Sequence, residues 1–189
     1  MKDLTESFSG RSLNVLRLIR QVMNAIVIVS GCIMALTFFF VVILRYGFDA
    51  DLFAYEEWLM TIAFWMFFIG SALATHNRCH INADILGIVM RNPTYIWYRT
   101  LVVQIIELMI LGYLSYLGIA MIVEEIMAYP MWQKSIALKI PFMVPRLGIA
   151  IGFIMMTIYT LLYVYLLLKH GPSKVLLSED IQQAEKMVK

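Results

Sequence analysis

Glu107 is the one ionisable residue set deep inside a long apolar run, about 12 Å along a helix from Arg99, with Gln104 one turn before it. A carboxyl group at such a depth costs several kcal/mol unless it is protonated, paired or turned towards protein. Two roles are therefore open to it: proton or ion coupling, or a structural contact with a neighbouring helix or subunit. His76 and His80 stand at i, i+4 and share a helical face, the spacing of two metal ligands. No third ligand accompanies them, and their place at the end of an apolar run does not suit haem held between paired helices. They read as hydrogen-bonded interfacial histidines, so neither a metal nor a cofactor is expected. Glu56 and Glu57 immediately precede Trp58, and Asp49 and Asp51 lie just upstream with Phe53 and Tyr55. Carboxylates at a helix start favour the positive end of its dipole; the same acidic and aromatic mixture also suits a docking surface. Nothing here converges into a nucleophile, base and oxyanion set, so the sequence does not read as an enzyme.

The elements that must position these groups follow from composition. Of the 189 residues, 61% are apolar and only 15% charged, with a mean hydropathy of +0.79. Soluble domains are nearer half apolar and a quarter charged, so the fold class is an all-α integral membrane protein. Crossing about 30 Å of hydrocarbon takes roughly 20 residues of helix. Four segments qualify, at about 22–44, 58–75, 101–123 and 147–168, bounded by an N-terminal segment 1–21 and a tail 169–189. The first is too long for the apolar core of a cleaved signal peptide and is read as an anchor. Lys and Arg concentrate in the N-terminal segment, the 78–99 connection and the tail, which predicts that both termini are cytoplasmic. Basic residues are scattered and the net charge is only +2, which argues against a nucleic-acid partner.

Between the second and third spans, Ile81, Ile85, Ile88 and Val89 fall on one helical face, which predicts a short amphipathic helix over about 80–90 at the cytoplasmic interface. Asn92 and Pro93 read as an N-cap and first helical residue, so the third helix should start well before its apolar stretch. The outward connection 128–145 mixes aromatic, aliphatic and Lys residues with Pro130, Pro141 and Pro145, and is expected to hug a surface or a partner. In the second span, Phe64, Trp65, Phe67 and Phe68 precede Gly70, Ser71, Ala72 and Ala74, where small residues admit a close neighbour and large ones fill the flanks.

Taken together these residues resemble the small membrane subunit, the DctQ type, of tripartite ATP-independent periplasmic (TRAP) transporters. The resemblance runs from about Leu16 to Leu168. It rests on the four-span plan, Arg45-Tyr46 closing the first span, Glu56-Glu57-Trp58 opening the second, Trp65 and the Phe67–Ala72 run through Gly70, the Arg78-x-His80-x-x-x-Asp84 pattern, and Ala137–Pro141 before the last span. It implies a multi-pass protein of the bacterial inner membrane, paired with a large multi-span subunit that holds substrate and sodium sites. A periplasmic binding protein would deliver an organic acid. This chain would then be a non-catalytic scaffold, with Arg78, His80 and Asp84 fixing the interfacial helix and Asp49, Asp51, Glu56 and Glu57 available to dock the binding protein. The competing reading is a stand-alone homo-oligomeric transporter that couples protons through Glu107.

Overall fold

The computed structural model describes residues 11–77 and 93–170. Four helices account for nearly all of them: α1 Arg11–Gly47, α2 Tyr55–Asn77, α3 Pro93–Met127 and α4 Met143–His170. Each is long and apolar enough to cross a membrane. All four run past the greasy stretches that announce them. α1 begins eleven residues before Val22, so its first three turns, with Arg17 and Arg20, project beyond the apolar run. α3 begins at Pro93, where proline's missing N–H costs nothing because the first turn has no intrahelical acceptor for it. The expected interfacial helix over 80–90, and with it Arg78, His80 and Asp84, lies outside the described residues.

Packing is uneven. α4 lies against both α2 and α3, while α1 packs on α2. Within the most apolar 18 residues of each helix, 39% are buried in α4 but only 11% in each of the other three. The core is small: Met23 of α1, Ile69 and Ala72 of α2, and Met156 and Tyr159 of α4, with Leu111 of α3 against them. Tyr159 sends its hydroxyl to the Met23 sulfur at 3.4 Å.

Close approach to α4 is made by glycines of α3 and α4. A Cβ on Gly152 would lie 2.6 Å from the Phe68 Cβ and 2.9 Å from its carbonyl oxygen. One on Gly118 would meet the Ala150 backbone at 3.2 Å. The same substitution at Gly70, singled out by the sequence, would find only the end of Val27 at 3.9 Å. Polar groups inside the spans are mostly settled locally, since Thr37, Thr75 and Thr157 each donate to the carbonyl four residues back. Between helices, Ser115 and Thr157 join α3 to α4 at 2.8 Å. Two indoles tie α4 to its neighbours at opposite ends: Trp65 donates to the Val144 carbonyl at 3.0 Å and Trp97 to that of Leu167 at 3.3 Å.

Candidate functional site

The most organised polar structure lies where the two described connections meet, at one end of the bundle. After α1, Asp49 takes a left-handed backbone (φ 46°), and the Ala50 N–H returns to the Leu44 carbonyl at 3.0 Å. Asp is among the few side chains that tolerate this conformation, so Asp49 ends the helix whatever else it does. Ala54 (φ 50°) then turns the chain into α2, whose first turn carries Glu56 and Glu57.

Glu57 does more than complement a helix dipole. Its carboxylate accepts hydrogen bonds from the Ser135 hydroxyl at 2.6 Å and from the Ala137 and Leu138 N–H groups, each at 2.8 Å. Three donors and no competing acceptor are what an ionised carboxylate requires. The α3–α4 connection folds around it as a tight hairpin. Ser135 N–H donates to the Ile140 carbonyl, Ile140 N–H donates to the Ser135 hydroxyl, Phe142 N–H reaches the Gln133 carbonyl, and Lys139 takes a left-handed backbone. Pro141 pairs with Lys134 across the base, and its carbonyl accepts the Val144 N–H at the start of α4.

The stem of this connection is held by a second carboxylate. Glu125, at the end of α3, is 4% exposed and paired with Arg146 in the first turn of α4. The other Glu125 oxygen and the nearby-in-sequence Trp132 N–H are buried without hydrogen-bond partners. Sequence reasoning does not single out Glu125. The available signal was its antiparallel register with Arg146, each standing at the helix end that adjoins the same connection.

Around this scaffold the chain presents apolar side chains outward. Among the described residues, the seven most exposed large apolar ones are Tyr46, Phe48, Phe53, Met127, Tyr129, Met131 and Ile136, the last at 97%, and all lie at this end. Asp49, Asp51 and Glu56 are exposed beside them, as is Arg45 in the last turn of α1. Trp58 is partly buried. A surface of this kind, apolar with acidic neighbours and built on a fixed hairpin, has the make-up of a protein contact.

The other candidate groups stand apart from it. His76 is 2% exposed, with its Nδ1 3.0 Å from the Asn77 side-chain oxygen and its ring edge-on to Tyr159 at 5.0 Å between centroids. It is a packed residue at the far end of α2. Glu107 is partly buried within α3 and takes one hydrogen bond, from the Gln104 amide at 3.0 Å. A family model described as the DctQ component of the tripartite ATP-independent periplasmic transporters matches residues 33–170. A search of curated proteins returns no match.

Proposed function

Since the chain belongs to the DctQ component family of the tripartite ATP-independent periplasmic transporters, we propose that it is the small scaffold subunit of a sodium-coupled system importing an organic acid. The family belongs to a tripartite system with a large membrane subunit and a periplasmic binding protein. In this reading the large subunit carries substrate, the binding protein delivers it, and this chain extends the static part of the assembly in the inner membrane with both termini cytoplasmic.

The family match over residues 33–170 carries the proposal. The uneven packing supports it: α1, α2 and α3 bury little of their apolar surface within the chain and leave it to be covered by lipid or a larger membrane protein. The end bearing both connections is then periplasmic. Asp49, Asp51 and Glu56 with the Ile136 hairpin form the surface offered to the binding protein, and Glu57 serves it by holding the hairpin.

The test is purification of the C-terminally tagged chain in mild detergent from its native membrane, followed by transport in vesicles. One much larger multi-span protein should accompany it at near-equal stoichiometry, and uptake of a carboxylate should need both subunits, sodium and the binding protein. A chain recovered alone or as a homo-oligomer from membranes where it functions would contradict the reading.

A further inference from the structure

The open face of α3 bears a group that lipid cannot satisfy. Glu107 lies between the side of α3 that packs on α4, marked by Ser115 and Gly118, and a side that no other described helix covers. Its neighbours one turn away on that open side, Val103 and Ile110, are 53% and 56% exposed. Gln104 is the one hydrogen-bond partner of Glu107 among the described residues, so a partly exposed carboxyl group with room for further hydrogen bonds stands at the edge of this face within the apolar span. Hydrocarbon offers no donor, and polar groups within membrane spans turn towards protein. The apolar side chains of this face would accept either lipid or protein; the carboxyl group decides between them.

We propose that the Val103–Glu107–Ile110 face of α3 is the seam at which the large transport subunit docks, and that a hydrogen-bond donor on one of its membrane helices completes Glu107. The proposal rests on the subunit assignment above and adds which face meets the partner and through which group. Gln104 positions the carboxyl group by holding one oxygen, leaving the other to the partner. Tyr116, nine residues on and therefore about half a turn round the helix from Glu107, is 66% exposed and stands on the opposite side of α3.

The test uses the whole complex in native membranes, with a benzophenone amino acid placed singly at Val103, Ile110 and Tyr116 in a chain that keeps Glu107. Ultraviolet crosslinking should capture the large subunit from Val103 and Ile110 and not from Tyr116. In parallel, Glu107→Leu should lower recovery of the large subunit by about tenfold, the scale of one interhelical polar contact, while Glu107→Gln, which keeps an acceptor, stays within about twofold. Capture from Tyr116 alone, capture of a second copy of this chain from Val103 and Ile110, or equal recovery with Glu107→Leu would each overturn the proposal. So would a Glu107→Gln chain that recovers as poorly as Glu107→Leu. Recovery of no larger protein by the unaltered chain is a separate result, which overturns the subunit assignment and this inference with it.

Discussion

Glu57 and Glu107 are both carboxylates on helices of this bundle, and their surroundings differ in kind. Glu57 has three donors from one connection, all supplied by the chain itself. Among the described residues Glu107 has one, from its own helix, and it stands at the edge of an open face. The first shapes the chain; the second is left for a neighbour to complete. Burial alone would not have separated them, since both are partly buried. What separates them is where the remaining donors come from.

Mutations can break or sharpen that contrast. The largest effect is expected at a third carboxylate, more enclosed than either. Arg146→Met should leave Glu125 charged, buried and unpaired, costing about 3 kcal/mol or more in the unfolding of the purified chain. Gly152→Ala comes next, at about 1–3 kcal/mol, because the new methyl meets Phe68 backbone that cannot swing aside. Gly70→Ala should be nearly silent in the same denaturation assay. Glu57→Ala removes the common acceptor of three donors at a solvated end, and should weaken the isolated chain by less than Gly152→Ala does. Its clearer readout is faster amide exchange at Ala137 and Leu138. Small too is the effect of Glu107→Leu in the isolated chain, expected to change stability by less than about 0.5 kcal/mol, since Gln104 is its one partner among the described residues.

Much of this contrast was legible in the sequence on one side only. Glu107 is conspicuous because everything around it is apolar, and Gln104 at i−3 is within reach on any helix. The donors to Glu57 lie 78 to 81 residues away, and two of them are backbone N–H groups, which carry no residue signature. Hydropathy located four spans but not the true helix ends, because helical hydrogen bonding continues past the apolar stretch into solvated turns such as those holding Arg17 and Arg20. Gly70 stands out by its small neighbours, yet the close approaches to a neighbouring backbone fall at Gly118 and Gly152. Which glycine faces a backbone is set by how two helices cross, and no local pattern reports that.

The most direct test of the division between the two carboxylates is a paired unfolding measurement on the Glu57→Ala and Glu107→Leu chains, each in detergent, alone and bound to the co-purified large subunit. Glu57→Ala should weaken the isolated chain and lose no more when the partner is bound, whereas Glu107→Leu should be almost neutral alone and lose most of the added stability the partner confers. Glu107→Leu unfolding the isolated chain as severely as Glu57→Ala, with the partner's stabilisation intact, would contradict the account.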